Sequence, residues 1–559
     1  MKTFHKIFAT LLLIGTAIAC KQEVIKLTQA TTAAVTPTTP SKGNADFTKF
    51  VAIGNSLAAG YQAGALFDSG QANSFPAMMA KQFSLVGGGT FNQPTINSKN
   101  GYSGNIAGVI TLGRYILFDP DGPTGPRTAS PYPSGYPGQT TTCPSTVVTP
   151  PLPAPYNTAD PIGAFAGDKT KLNNFGVPGI QLVQLLTPAT GGPASPANPA
   201  FNPYYARFAS SPSPDGVSGS KILGDAIVAQ PSFFLLEIGN NDVLGYATTG
   251  GNGSIPITPP TAGGIYSFDI NYQTVVGALL GSNPNLKGIV ATIPNVTNIP
   301  YFFTVKYNAI PLDANTATAV NTGFAGYNAI LDSIIGKPAL LANFSLDPAD
   351  LTSRKVIFSA STSNRILIAD KTLKDLGSVF DYLRSINVIP SDAQRALLAP
   401  YQKVRQATAT DLITLPAGGV LGTCVNNNPL LVNGISIPLD DKYVLLPTET
   451  AAILTATAAY NATIKSIVTA NSTRLALADI GKAFADLVAA QIEGVNGVFI
   501  SPSLAPPTGA FSEDGVHPNT RGYAFLANIY LSAINTTFSA NIPLIDISKY
   551  QGTGLPINP

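Results

Sequence analysis

The chain of 559 residues contains no tryptophan and only two histidines, three cysteines and three methionines. Histidine and cysteine are too scarce to support a Cys/His metal site, which usually needs four ligands. Charge is scarce as well, because Asp, Glu, Lys and Arg make up 11% of the chain, against about 25% in a typical soluble domain. The 32 basic and 30 acidic residues leave no basic excess, so we expect no nucleic-acid partner.

Hydrophobic residues are plentiful, at 45% of the chain. They can bury a sizeable core, which argues against disorder for the bulk of the protein. Glycine and proline are also abundant, with 52 and 47 residues, and predict long, turn-rich connections. The length allows about three or four ordinary domains, or one enzyme domain enlarged by insertions.

The N-terminus has the features of a processing signal. Two lysines precede an apolar run over residues 7–18, which is shorter than the ~20 residues that span a bilayer. Small residues then lead to Cys20, and the order resembles a bacterial lipoprotein signal, although Ala17 replaces the usual Leu. The resemblance implies removal of residues 1–19 and an exported protein anchored to the cell envelope, at the outer membrane, by lipid on Cys20. An ordinary secretory signal is the alternative.

The segment after this signal is rich in Thr, Ala and Pro, and we interpret residues 20–45 as a flexible tether. Two cysteines follow it, Cys143 and Cys424, both in turn-like surroundings. An oxidising compartment allows them to pair, but the sequence does not establish that they are close together.

Short apolar runs bounded by Asn, Gly or Pro predict strands buried on both faces of a parallel sheet; they are Phe47–Ile53, Phe233–Ile238, Gly288–Ile293 and Leu475–Ile480. Helical patterns alternate with them, at Tyr272–Leu280, Thr448–Ala470 and Gly522–Ile534. This alternation predicts a three-layer α/β/α domain with a mostly parallel sheet over residues 46–549.

Two stretches interrupt the alternation and predict large insertions, at about 62–170 and 300–447. The first is Gly-, Pro- and Tyr-rich over most of its length, which is typical of a long cover loop rather than a regular element. The second has strand-like pieces of its own, Lys355–Phe358 and Arg365–Ile368.

A single histidine, His517, remains once the signal is removed, and it follows Asp514 by three residues. One tight turn can bring this carboxylate to the imidazole, fixing its tautomer and leaving the other ring nitrogen free to accept a proton from a nucleophile. A lone histidine is more often a structural or surface residue, so the pair alone does not establish a site.

Ser56 lies where the first predicted strand ends and a helix begins. A hydroxyl at such a turn is exposed, and the N-terminus of the helix offers N–H groups and positive potential to a developing anion. The alternative is a plain N-cap serine, which is common.

Four short blocks, in this order along the chain, resemble the GDSL or SGNH hydrolases, a family named after its Ser, Gly, Asn and His residues; they are Phe50–Leu57, Asn174–Gly179, Glu237–Asp242 and Asp514–His517. The third block matches the family's Gly-x-Asn-Asp and the last its Asp-x-x-His. One departure is visible, since the Asp of the family's name is Asn55 here. Asn55 is not a member of the catalytic triad, so the change affects the turn more than the chemistry.

The resemblance implies an SGNH-type fold, a serine ester hydrolase with an acyl-enzyme intermediate, and no metal or cofactor. Ser56 would be the nucleophile, His517 the general base and then acid, and Asp514 the orienting carboxylate. The implied oxyanion hole consists of the backbone N–H groups of Ser56 and Gly179 and the side-chain amide of Asn241.

Some alternatives stay open at this point. Gly176 could take the place of Gly179, and Asp242 is interpreted as a structural residue that closes the preceding strand in an Asx turn. An α/β-hydrolase is disfavoured, because its Gly-x-Ser-x-Gly elbow would need glycine where Ala58 stands.

A different class of function is an inactive, lipid-anchored surface binding protein on the same fold. The residue types of the triad and the oxyanion hole are all present, so we prefer the enzyme. Its substrate is open: the charge-poor surface and the membrane anchor favour lipidic or neutral acyl esters, while 21 Tyr and 27 Phe would also suit a carbohydrate ester.

Overall fold

A computed structural model describes residues 39–103, 113–118, 162–261, 264–490, 492–493 and 497–553, together with strand segments at 130–133, 138–139 and 147–148. The predicted signal, Cys20, most of the tether and Cys143 lie outside these residues.

The central sheet consists of five parallel strands: β1 Phe50–Gly54, β2 Asn174–Gly176, β3 Phe233–Glu237, β4 Lys287–Ala291 and β5 Leu475–Ala478. Their order across the sheet is β5-β4-β3-β1-β2. All residues of β1 and β3 are buried, as expected of strands covered on both faces. The predictions of an α/β class and of a parallel sheet are therefore confirmed. The segment that forms β2 belongs to the motif Asn174–Gly179, but it was not predicted to be a strand.

Helices precede and follow these strands. The α-helices are Ser56–Ala59, Asp68–Ala72, Phe75–Ser84, Pro203–Ala206, Ile222–Val228, Asn241–Thr248, Phe268–Ser282, Ala314–Ile335, Pro338–Phe344, Pro348–Ser353, Gly377–Ser385, Asp392–Leu397, Pro447–Ala470, Ile480–Ala489 and Thr520–Phe538. Short 3₁₀ turns lie at Lys169–Lys171, Leu182–Leu186, Pro188–Gly191, Gly264–Tyr266, Val296–Asn298, Pro300–Phe302, Ala399–Tyr401, Leu415–Gly419, Val425–Asn427, Asp441–Tyr443 and Ile547–Lys549. None of the helices in the described part of the chain combines the length and apolar character needed to span a bilayer.

The helices around the sheet form two groups. The helix Thr520–Phe538 packs on Phe75–Ser84, whereas Phe268–Ser282 packs on Ile222–Val228 and Pro447–Ala470. The ring of Phe233 in β3 contacts the first group. Two groups of this kind are consistent with the predicted three-layer arrangement. The helix Phe75–Ser84 belongs to this core although its residues fall inside the stretch predicted as the first insertion.

The second predicted insertion has hydrophobic clusters of its own. Small antiparallel ladders join Ile310–Leu312 to Ser361–Asn364, Leu367–Ala369 to Val404–Gln406, and Leu412–Ile413 to Val444–Leu445. Further two-stranded ladders elsewhere join Tyr115–Phe118 to Ser130–Pro133, Gly138–Gln139 to Val147–Val148, and Ile492–Glu493 to Phe499–Ile500. The strand predicted at Arg365–Ile368 lies slightly later, at Leu367–Ala369.

The prediction of a strand at Lys355–Phe358 is wrong. Side-chain amides of the helix Ala314–Ile335 bind this extended segment instead: Asn328 accepts from the N–H of Val356 and donates to its C=O, at 3.0 and 2.9 Å. Asn321 makes the same pair of bonds with Phe358, at 2.9 and 2.8 Å. The backbone groups that a neighbouring strand would satisfy are thus satisfied by two asparagines.

The folded unit begins earlier than predicted. Ser41 and Asn541 exchange two backbone hydrogen bonds, at 3.1 and 2.8 Å, and Ala45 is buried. The predicted tether therefore ends before Ser41 rather than at residue 45. Cys424 forms a disulfide bond, and Cys143, the residue with which the sequence allows it to pair, is outside the described residues.

Candidate active site

Ser56 is the first residue of the short helix that follows β1. The N-cap is Asn55, whose Oδ1 accepts the N–H of Leu57 at 2.9 Å, so the alternative that Ser56 is an N-cap serine is wrong. The helix ends after one turn at Gly60, which has the left-handed φ of +80° that favours glycine. This tight strand–helix turn holds the Ser56 hydroxyl at the carboxyl edge of the sheet.

The side chains of Ser56, His517 and Asp514 lie together. The Oγ of Ser56 is 2.8 Å from Nε2 of His517, and Nδ1 of His517 is 2.8 Å from Oδ2 of Asp514. The first contact joins residues 461 positions apart. The three residues that the sequence analysis placed in one site are thus in hydrogen-bond contact, in the order Ser56, His517, Asp514.

Asp514 is held by backbone donors. Its Oδ1 accepts the N–H groups of Val516 and His517, both at 2.8 Å, and its Oδ2 accepts that of Gly64, also at 2.8 Å. Burial alone would raise the pKa of Asp514, but the adjacent His517 ring and the backbone N–H groups of His517 and Val516 outweigh burial and lower this pKa. The carboxylate is therefore ionised when it faces the imidazole.

The loop of residues 61–64, which follows the helix Ser56–Ala59, makes further contacts that support Asp514 and His517. The sequence analysis did not identify these contacts. The Oγ of Ser512 accepts the N–H of Ala63 at 2.9 Å and donates to the C=O of His517 at 3.0 Å. The ring of Tyr61 lies 4.8 Å from the imidazole, and its hydroxyl donates to the C=O of Gly64. The only sequence signal was the presence of Ser512 two residues before Asp514, which is typical of a side-chain-capped turn.

Three residues were predicted to form an oxyanion hole, namely Ser56, Gly179 and Asn241, and the structure shows which of their N–H groups are bound. Among the described residues, no acceptor binds the backbone N–H of Ser56 or of Gly179. Gly179 has a φ of +81°, and a Cβ there would meet no atom within 4 Å. Gly176 is different: its N–H binds the side chain of Asn174 at 2.9 Å, and a Cβ would come within 2.4 Å of Ala59. Gly179, and not Gly176, therefore has a free donor.

Asn241 begins the helix that follows β3, and its amide donates to the C=O of Ile180 at 2.8 Å. This bond fixes the side chain of Asn241 against the loop that carries Gly179. It uses one N–H of the amide and leaves the second N–H available to another acceptor. The next residue, Asp242, is buried and accepts the N–H of Leu182 at 3.0 Å and the hydroxyl of Thr258 at 2.7 Å. Asp242 is structural as predicted, but it joins two loops rather than forming an Asx turn. Burial raises its pKa to about 6.

A buried glutamate, Glu237, lies beneath the turn and was not predicted to matter. Its Oε1 accepts the amide of Asn240 at 2.5 Å and that of Asn55 at 3.4 Å. Burial raises the pKa of Glu237 to about 8, and the two amides offset only part of this effect. Asn55, which differs from the Asp of the GDSL motif, is thus one of two amides that contact Glu237. A carboxylate at position 55 would place two acids side by side in the core.

Comparisons with family models, curated proteins and solved structures give no match to this chain. Within the described ranges, no group of three or more His, Cys, Asp or Glu side chains is arranged to bind a metal ion.

Proposed function

We propose that this protein is a serine carboxylic-ester hydrolase of the GDSL or SGNH type. The single observation that carries the proposal is the continuous contact from Ser56 through His517 to Asp514, at 2.8 Å for each step. A neutral imidazole at this distance can take the hydroxyl proton, and an ionised carboxylate on its other nitrogen stabilises the imidazolium that forms.

The reaction follows from these positions. The Oγ of Ser56 attacks the ester carbonyl while its proton passes to His517, which then gives the proton to the departing alcohol. Water cleaves the resulting acyl-enzyme, again with His517 as base. The N–H groups of Ser56 and Gly179 and the amide of Asn241 would stabilise the anionic intermediates, and each such donor is worth about 3–4 kcal/mol by mutational loss.

We also propose an exported protein anchored to the cell envelope, at the outer membrane, through lipid on Cys20, where it would act on lipidic or other neutral esters. Radiolabelled palmitate fed to expressing cells tests the anchor. We expect incorporation into the wild type and none into Cys20→Ala, and equal incorporation into both would refute it.

A fluorophosphonate probe tests the enzyme against the inactive binding protein. It reacts with a serine only when a base activates the hydroxyl. We expect labelling of the wild type and of the control Ser84→Ala, whose serine is exposed on a helix, and none of Ser56→Ala. Absence of labelling in the folded wild type would favour the binding protein.

A further inference from the structure

A cavity of about 120 Å³ adjoins the proposed nucleophile. Its polar lining comes from residues already placed at the site, namely Asn55, Ser56, Asn240, Asn241 and His517. The remaining lining residues are apolar, and none of the described residues around it is an Asp, Glu, Lys or Arg. Water in such a cavity finds few hydrogen-bond partners, so an apolar ligand displaces it favourably.

Two helices give the cavity its length. The helix Thr520–Phe538 contributes Gly522, Phe525 and Ile529. The helix Ile480–Ala489 contributes three residues that are also three or four positions apart, Ile480, Phe484 and Leu487. Such spacing places side chains along one face of a helix. The seven residues from 522 to 529 rise about 10 Å. His517 lies three residues before the helix Thr520–Phe538 begins. Ile529, which is further along this helix, therefore marks the end of the cavity away from Ser56 and His517.

This length corresponds to a chain of defined size. An extended polypeptide advances 3.3–3.6 Å for every three bonds, so an extended hydrocarbon covers about 10 Å in roughly eight or nine bonds.

We propose that this cavity binds the aliphatic chain of a medium-length acyl group, about eight to ten carbon atoms long by the length of the lining helix, and so selects the acyl part of the substrate. The proposal rests on the hydrolase function above. The ester carbonyl would lie at Ser56, and the chain would follow the helix toward Ile529. An acetyl group, as in a sugar acetate, would leave most of this apolar cavity to water.

A series of p-nitrophenyl esters from acetate to palmitate tests the proposal. Each methylene group that enters the cavity is expected to raise kcat/KM by up to about fourfold. We expect the value to rise to octanoate or decanoate and then to level off or fall. A maximum at acetate would overturn the proposal, as would a steady rise to palmitate.

Shortening the cavity provides a second test. Ile529→Trp fills its far end and should lower kcat/KM for the decanoate ester at least tenfold while changing that for the butyrate ester less than threefold. Leu487→Trp does the same from the facing helix. The matched control is Ser532→Trp, which places the same side chain on the exposed face of the helix Thr520–Phe538. It should leave kcat/KM unchanged for both the decanoate and the butyrate ester. Equal losses on both esters would overturn the proposal.

A binding measurement separates failure of this proposal from failure of the hydrolase function. Calorimetry with methyl octanoate on Ser56→Ala requires no turnover. Binding that Ile529→Trp weakens at least tenfold in the Ser56→Ala background supports the cavity even if no ester is cleaved. Absence of binding to Ser56→Ala, in a protein whose wild type hydrolyses acetate, overturns the cavity proposal and leaves the hydrolase in place.

Discussion

The backbone N–H of Gly64 donates to Oδ2 of Asp514 at 2.8 Å. The same oxygen is 2.8 Å from Nδ1 of His517. The loop that follows the helix Ser56–Ala59 therefore holds the carboxylate of Asp514, the last of the three residues in the order Ser56, His517, Asp514. In the proposed hydrolase Gly64 would therefore be a positioning residue, although it does not line the cavity beside Ser56.

Gly64→Ala tests this role. Gly64 has a φ of +71°, and a Cβ would come within 2.8 Å of the ring of Tyr115, so alanine must shift the loop and lengthen the bond to Asp514. Loss of a hydrogen bond to a charged group costs about 1.5–3 kcal/mol, and we expect kcat to fall about tenfold or more with little change in KM. Gly253→Ala, at a φ of +80° with no neighbour within 4 Å, is the control. An unchanged kcat in Gly64→Ala would contradict the role.

A second prediction concerns Asn55, the departure from the family's name. Asn55→Asp keeps the cap on Leu57 but replaces the amide that donates to Glu237 by an acceptor. Both positions are buried, so we expect a loss of about 1–3 kcal/mol in the free energy of unfolding at pH 8, measured in urea. Adding Glu237→Gln supplies an amide to the new carboxylate and should recover most of the loss. Two additive losses would contradict the pairing.

The pH dependence of stability gives a third prediction. The fold raises the pKa of Glu237 to about 8, so the native state keeps a proton that the unfolded chain releases above about pH 4.3. The free energy of unfolding therefore falls as pH rises from about 4.3 to 8, by up to about 4 kcal/mol between pH 5 and 8.

Glu237→Gln removes this dependence, and the difference between the two proteins isolates it from the other acids. Urea unfolding at pH 5, 6.5 and 8 measures it. The control is Asp392→Asn, because this side chain is 90% exposed, and it should follow the wild type. A wild type and Glu237→Gln variant with parallel curves would show that Glu237 is not protonated in the fold.

The pH dependence of activity gives a fourth prediction. His517 must be neutral to accept the proton from Ser56, so kcat/KM should fall as the pH is lowered and the imidazole becomes protonated. Asp514 does not add a second step there, since its pKa is lowered. A flat pH profile of kcat/KM down to pH 5 would contradict the assignment of His517 as the base.

Asp514→Asn should lower kcat by roughly 10³–10⁴-fold, because an amide at position 514 no longer fixes the tautomer of His517.

Much of this arrangement could be predicted from the sequence. Strands β1, β3, β4 and β5 are buried on both faces, so each is a nearly continuous apolar run with turn residues at its ends. The residues Ser56, Asp514 and His517 stand in short motifs whose order is that of a known family. Local composition and motif order were therefore sufficient for four of the five strands and for the three converging side chains.

The features that were missed depend on contacts between distant segments. An apolar extended stretch at Lys355–Phe358 has the pattern of a strand, and nothing local reveals that Asn321 and Asn328 satisfy its backbone. Gly64 and Glu237 act on the site from 450 and 182 residues away from their partners Asp514 and Asn55. A linear sequence shows the residue types in such pairs but not their proximity.

The most direct test of the central claim is whether Ser56 and His517 act as one unit in ester hydrolysis. Rates for Ser56→Ala, His517→Ala and the double variant on p-nitrophenyl octanoate measure this. Residues of one catalytic relay are strongly non-additive, so we predict that the double variant is no slower than either single variant. A His517→Ala variant with wild-type activity, or a double variant whose loss is the product of the two single losses, would contradict the account.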